Sequence, residues 1–212
     1  RQVEQQQQQA VQRRKQMAAE RLKLLKKGAR VSGGTVELRS HVDNTGGEIT
    51  ARDDLTIENS FYFVKLDNQG GKITAGGNLT ARLSELNNMQ GTLSADGTVS
   101  VHAEYGKFDN GQGVISGKNV IATTNKGHSH GDVYNVGGLI WADEALTLRT
   151  KGLDNRYTQS SDTSRSLGLM GKTITLTSEQ FHNSRGSVVA GETLRLQTHM
   201  LENSQGVISS SQ

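Results

Sequence analysis

The sequence predicts a mainly β protein, a right-handed parallel β-helix (solenoid) of about eight rungs that is preceded by an N-terminal α-helix. Three observations lead to this fold class. One motif recurs eight times between residue 31 and the C-terminus, the 212 residues contain no proline, and the first 30 residues differ sharply in composition from the rest. Two domains are therefore expected, a basic helix over 1–30 and a β-helix over 31–212.

The composition limits the kinds of core that the chain can build. Only 33% of the residues are hydrophobic, 4% are aromatic and 25 are glycine, so either much of the chain is disordered or its core is thin and repetitive. The absence of proline favours continuous sheet, because proline removes a donor from the hydrogen-bond ladder. The absence of cysteine excludes disulfides, thiolate metal sites and a cysteine nucleophile.

The first element is predicted to be a helix from about Val3 to Lys27, ending at Gly28. Residues 1–30 carry nine Lys or Arg and two Glu, a net charge of +7. A coiled coil is a poorer alternative. Val3, Ala10, Met17 and Leu24 are spaced as one apolar heptad position, but the second core position of that heptad is occupied by polar residues. The expected role is a cap on the first rung or a linker, with one apolar stripe formed by Ala10, Val11, Met17, Ala18, Leu22 and Leu25.

The repeat is defined by an asparagine and a glycine at fixed positions. Its copies begin at residues 42, 66, 86, 108, 133, 153, 181 and 201, as in "LDNQGGKITAGGNLTAR" from residue 66. With the first apolar residue as position 0, position +2 holds Asn44, Asn68, Asn88, Asn110, Asn135, Asn155, Asn183 and Asn203. Position +5 holds glycine in seven copies: Gly47, Gly71, Gly91, Gly113, Gly138, Gly186 and Gly206.

Aliphatic residues stand at +7, +13 and +15 in the copies at 42, 86, 133 and 181, and in the copy at 66 with Ala81 last. The pairs +7/+9 and +13/+15 alternate in and out, which is the periodicity of short strands. Two or three such strands in each unit, with no helix between units, predict rungs that stack about 4.8 Å apart. The asparagines are expected to form a ladder at one bend and to tolerate a left-handed backbone, and the glycines are expected to serve the next corner.

Two copies depart from the pattern. The copy at 108 is one residue short, so either Val120 and Ala122 or Ile121 and Thr123 face inward. In the copy at 153, residues 156–171 are predicted to be an insertion, with the pattern resuming at Ile174. The insertion is either a specificity-bearing excursion or a tolerated loop.

Candidate sites for chemistry are sparse, and no catalytic residue, metal or cofactor is expected. The loop "GHSHGD" (127–132) is a weak candidate metal site. The aspartates at +1 are expected to bond to the corner backbone, although as a stripe they could bind Ca²⁺ weakly.

The aromatic segment "NSFYFVK" (59–65) is expected to be covered, for example by the helix. The sequon at Asn78 is too short to be informative. The basic helix lacks aromatic companions, which argues against nucleic acid binding.

The repeated motif resembles the haemagglutinin repeats of filamentous haemagglutinin and of contact-dependent growth inhibition exoproteins, over about residues 31–212. The resemblance implies a secreted, cell-surface protein of Gram-negative bacteria, exported by an outer-membrane two-partner secretion transporter. It implies a non-enzymatic shaft that displays an adhesive or toxic region away from the cell. The alternatives are a receptor-binding segment that contacts a host or target-cell receptor and a carbohydrate-active β-helix enzyme. The sequence contains no run of 18 apolar residues, so stable insertion into a membrane is not expected.

Overall fold

The computed structural model is a parallel β-solenoid of about eight turns that follows one N-terminal helix. It describes residues 1–26, 29–125, 131–160 and 166–211, with side chains described outside 18–26. Helix α1 (Gln2–Lys26) matches the predicted span. The prediction that its stripe covers the first rung is wrong for the described part, because Val11 is 50% and Met17 is 68% exposed. The stripe includes two alanines and borders Gln and Arg, so burying it would contribute little free energy of stabilisation.

The described strands, numbered in chain order, form three parallel sheets. Sheet 1 contains β3 (Val42–Asp43), β6 (Val64–Asp67), the C-terminal part of β8 (Leu79–Asn87), β11 (Phe108–Asp109), β14 (Asp132–Tyr134), β17 (Gly152–Asp154), β19 (Gln180–His182) and β21 (Met200–Glu202). Sheet 2 contains β1 (Arg30–Gly33), β4 (Glu48–Ala51), β7 (Lys72–Ala75), β9 (Thr92–Ala95), β12 (Val114–Gly117), β15 (Leu139–Ala142), β22 (Val207–Ser210) and the N-terminal parts of β18 (Gly168–Thr177) and β20 (Ser187–Gln197). Sheet 3 contains β2 (Val36–Leu38), β5 (Leu55–Ile57), β10 (Thr98–Ala103), β13 (Asn119–Thr124), β16 (Ala145–Arg149) and the remaining parts of β8, β18 and β20.

Each rung is named here by its first residue. The rungs from 42 to 181 each contribute to all three sheets and pair in register with the next rung, and rung 201 contributes β21 and β22. Ile49 aligns with Ile73, and Ile73 aligns with Leu93. These +7 residues line one column of the core, and Ile73 is completely buried. Because like side chains repeat at each level, the interior is filled mainly by Ile, Leu, Val and Ala, and Phe108 and Phe181 are the two aromatic residues buried with them among the described residues.

The two irregular copies are explained by the register. In rung 108, Val120 and Ala122 face inward while Ile121 is 37% exposed, because the turn before β13 is one residue shorter. In rung 153, the buried Leu169 pairs with Ile140 and Val188 and therefore occupies +7. The excursion is accordingly 159–167 rather than the predicted 156–171, and 161–165 lie outside the described residues.

Candidate functional site: the asparagine corner

The asparagine corner, defined as positions +2 to +5 of each rung, joins sheet 1 to sheet 2. All eight predicted asparagines meet there in one column. Each side-chain Nδ2 donates to the Oδ1 of the asparagine in the next rung, over 2.8, 2.8, 2.7, 2.8, 2.9, 2.8 and 2.8 Å from Asn44 to Asn203. The six asparagines from Asn68 to Asn183 are completely buried. The amides thus form one polarised chain of hydrogen bonds, in which each bond strengthens its neighbours.

The remaining polar atoms of the ladder are also satisfied. The Nδ2 of Asn88 lies 3.4 Å from the carbonyl oxygen of Gly91 in its own rung and 3.3 Å from that of Val114 in the next. Its backbone N–H donates to the carbonyl of Asp109 over 2.7 Å. Within the described part of the chain, no buried side-chain nitrogen or oxygen lacks a partner. Because an unpaired buried amide destabilises a fold, a complete ladder is stable where an interrupted one would not be.

The glycines at +5 lie at this corner for a reason that differs from the predicted one. None of the seven has a positive φ. A Cβ added at Gly91 would overlap the backbone carbonyl oxygen of Asn68 in the previous rung and lie 2.7 Å from Oδ1 of Asn88. In the seven rungs that have it, glycine is therefore required at +5, because the ladder amide and the adjacent rung approach too closely for a side chain.

The left-handed residue of the corner is at +4, and not at the asparagine as predicted. Position +4 has a positive φ, between 53° and 64°, in all eight copies. Three copies use glycine there, and five use another residue: Gln90, Gln112, Tyr157, Arg185 and Gln205. A Cβ at Gly70 would meet nothing within 4 Å, so side chains at +4 project into solvent and the copies tolerate variety there.

Rung 153 has Thr158 where the other copies have the glycine. The Thr158 side chain is buried, and its hydroxyl donates to the carbonyl of Asn155 over 3.0 Å. The same hydroxyl accepts the backbone N–H of Ser187 over 2.8 Å. In a regular pair of rungs, that N–H bonds to the carbonyl at +5, as Val207 bonds to Gly186. The threonine hydroxyl therefore replaces a backbone carbonyl at the point where the chain leaves the rung.

The aspartates at +1 bond to the corner backbone. The Oδ1 atoms of Asp43, Asp67 and Asp109 accept the N–H at +3 over 3.0, 3.1 and 2.8 Å, and Asn87 forms the same bond in its rung. Hydrogen bonds from the Thr45 hydroxyl and backbone lower the pKa of Asp43. Asn87 and Tyr134 interrupt the column, and no group of three His, Asp or Glu suited to a metal is found among the described residues. His128 and His130 of the candidate metal loop lie outside those residues.

A second polar column at +12 was missed from the sequence. Oδ1 of Asp54 accepts the backbone N–H of Asn78 over 2.8 Å, and Oδ1 of Asn78 accepts that of Thr98 over 2.9 Å. Asn119, which is at +11 because the copy at 108 is one residue short, bonds to Ala145 in the same way over 3.2 Å. The available signal was an Asp or Asn directly before the first inward-facing aliphatic residue of the third strand in three copies. Asn78, the residue of the sequon, is therefore part of a structural column.

Comparison with known proteins identifies the repeat. The family model for the haemagglutinin repeat matches residues 18–60, 64–156 and 115–212. The chain belongs to the haemagglutinin repeat family. A search of curated proteins and a search of solved structures each gave no match. Proteins of this family are secreted surface proteins, and the family is a structural or adhesin family.

The geometry agrees with this assignment. The haemagglutinin repeats and the solenoid fit a filamentous, adhesin-like shaft. The ladder amides are buried and bonded to one another, so they hold rungs together and present no reactive group to a substrate. No helix among the described residues is both long and apolar enough to span a membrane.

Proposed function

We propose that this chain is a rigid segment of the shaft of a large secreted exoprotein of Gram-negative bacteria. The shaft would display an adhesive or toxic region at a distance from the producing cell, as expected for an adhesin or a contact-dependent inhibition protein. The observation that carries the proposal is the unbroken register of the rungs, which keeps the asparagine ladder continuous from Asn44 to Asn203 even across the excursion in rung 153.

The stacked rungs give the segment a defined length. Neighbouring rungs lie about 4.8 Å apart, so eight of them span roughly 40 Å. Each rung contacts mainly its two neighbours, which makes length additive and bending costly, since bending would open the ladder and three sheets together. A spacer needs this property, and a catalytic cleft does not.

Export through an outer-membrane two-partner secretion transporter is part of the proposal. The chain has no cysteine and no proline, so neither disulfide pairing nor prolyl isomerisation delays its folding. Rungs that contact only their neighbours can fold in sequence as a chain emerges outside the cell. Binding of the chain to such a transporter would be the direct test of this partner.

The shaft proposal predicts that whole rungs can be removed. Deletion of residues 66–85, one 20-residue period, joins Lys65 to Leu86 and keeps every later rung in register. We expect the full exoprotein to fold, to be about 4.8 Å shorter and to retain the activity of its displayed region. Deletion of 70–88 is the matched control, because it removes 19 residues and leaves five residues instead of four in the asparagine corner, from Asn68 to Gly91, which shifts the register.

Two results would contradict the shaft proposal. One is equal folding of the two deletion variants, measured by thermal unfolding, because the proposal depends on register. The other is loss of cell attachment in the 66–85 deletion despite normal folding and surface display. That result would favour the receptor-binding alternative, which also predicts that the purified chain blocks attachment of the parent protein.

A further inference from the structure

The corner between sheet 3 and sheet 1 carries an exposed aromatic cluster in rungs 42 to 86. Phe61, Tyr62 and Tyr105 are 94%, 51% and 54% exposed. They belong to the aromatic corner, defined by Glu58, Asn59, Ser60, Phe61, Tyr62, Phe63, Arg82 and Tyr105, which line an open cleft of about 570 Å³. The expectation that this segment is covered is wrong, since Phe61 is almost fully in water. Clustered exposed aromatic rings are typical of binding surfaces.

The rings of Tyr62, Phe63 and Tyr105 are held by ring contacts, and Phe61 is held through its backbone. Phe63 lies edge-on to Tyr105, with 6.0 Å between ring centroids, and 6.1 Å from the ring of His102. Tyr62 packs against His41 at 5.6 Å. Oδ1 of Asn59 accepts the N–H of Phe61 over 2.9 Å, while its Nδ2 donates to the carbonyl of Arg39 over 2.9 Å. Contacts with residues before rung 42 and in rung 86 therefore preorganise the corner, which lowers the entropic cost of binding.

The polar groups around the rings limit the class of ligand. The cleft is lined by one carboxylate, Glu58, and one guanidinium, Arg82, together with the hydroxyls of Ser60, Tyr62 and Tyr105. The charges balance, so the surface has no net attraction for an anion or a cation. An uncharged ligand that offers flat C–H faces to the rings and hydroxyls to the rim matches this surface, and the cleft volume is within the range of small-ligand sites.

We propose that the aromatic corner binds a neutral oligosaccharide, with Phe61 and Tyr62 stacking on sugar rings and Glu58 and Arg82 bonding to hydroxyls. The proposal is independent of the shaft function, because a shaft with no binding site would display its distal region equally well. The surface is a side-on site on the shaft wall.

The test uses the 212-residue chain on an immobilised panel of neutral, sialylated and sulfated oligosaccharides. Binding to at least one neutral oligosaccharide is expected, and Phe61→Ala and Tyr62→Ala should each weaken it about tenfold or more. Trp141→Ala is the matched control, because Trp141 is also an outward-facing aromatic residue, 39% exposed, but lies on sheet 2. That control should bind as the unchanged chain does.

Several outcomes would overturn the proposal. They are no binding to the panel, binding only to sialylated or sulfated members, and equal binding by Phe61→Ala when its thermal unfolding is unchanged. Vesicles of phosphatidylcholine, with and without phosphatidylserine, provide the remaining arm. Vesicle binding that is lost in Phe61→Ala, without saccharide binding, would assign the corner to a membrane surface.

Discussion

The two corners that flank sheet 1 are built under opposite constraints. The asparagine corner has the same length in every rung, four residues from +2 to +5, whether or not the chain then makes an excursion. The variable corner, defined here as the residues between +15 and the next position 0, ranges from four residues (82–85) to ten (123–132). Buried amides that bond from every rung to the next require a fixed length. In the variable corner, the buried hydroxyls of Thr124 and Thr150 bond over 3.0 Å although their corners have ten and four residues, so this contact does not fix the length.

This difference explains why the repeat period varies between 20 and 28 residues. Rung 42 is longer than rung 66 because its variable corner, 58–65, has eight residues instead of four. Rung 153 is longer because its excursion begins after Thr158, where the asparagine corner is already complete. Phe61, Tyr62 and Phe63 lie in the eight-residue corner of rung 42, where the asparagine ladder does not fix the length of the chain.

The largest effect is expected from breaking the ladder at its centre. Asn88→Asp replaces a buried donor by a carboxylate that faces the oxygens of Asn110, Gly91 and Val114. We expect a loss of about 3–5 kcal/mol in the free energy of unfolding at neutral pH, measured by chemical denaturation. Asn87→Asp is the control one residue away, because +1 carries aspartate in other rungs, and it should be nearly neutral.

The same variant predicts a direction of pH dependence. Burial and the facing oxygens raise the folded-state pKa of the introduced carboxyl above its unfolded value. The neutral carboxyl can donate a hydrogen bond, so the penalty is smallest below the unfolded pKa and grows as the pH rises through the folded one. A difference between Asn88→Asp and the unchanged chain that does not vary with pH would contradict this account.

The next effect separates the two kinds of glycine in the asparagine corner. Gly91→Ala forces a methyl group against the carbonyl of Asn68, and we expect a cost of about 3 kcal/mol. Gly70→Gln, at +4, places in an open site the residue that Gln90 already provides, and should cost about 1 kcal/mol through its left-handed backbone. Equal costs in thermal unfolding would show that close approach is not the reason for glycine at +5.

A smaller effect is expected at the entrance to the excursion. Thr158→Val keeps the shape of the side chain but removes the hydroxyl that serves Ser187 and Asn155. The unpaired N–H of Ser187 should cost about 1–3 kcal/mol, measured by urea unfolding. Thr158→Ser retains the hydroxyl and should recover most of that loss. No recovery would mean that the methyl packing, and not the hydroxyl, stabilises this rung.

The smallest effect is expected when a variable corner is shortened. Replacing 58–65 by the four residues of 82–85 supplies Leu83 in place of Val64, its in-register partner. We expect a change below about 1 kcal/mol, because loop closure depends only weakly on length. Thermal unfolding would check this, and a large loss would show that the aromatic corner stabilises the solenoid.

The sequence by itself determined the solenoid, because the alternation at +7, +13 and +15 and the absence of proline leave few other arrangements of short strands. It also determined which residues recur, down to the asparagine and the glycine. Their reasons came only from the tertiary structure: the left-handed residue at +4, the close approach at +5 and the hydroxyl of Thr158 depend on contacts between rungs 20 or more residues apart. Leu169 was missed for the same reason, since its place in the core is set by pairing with Ile140 and Val188 and not by its neighbours in the chain.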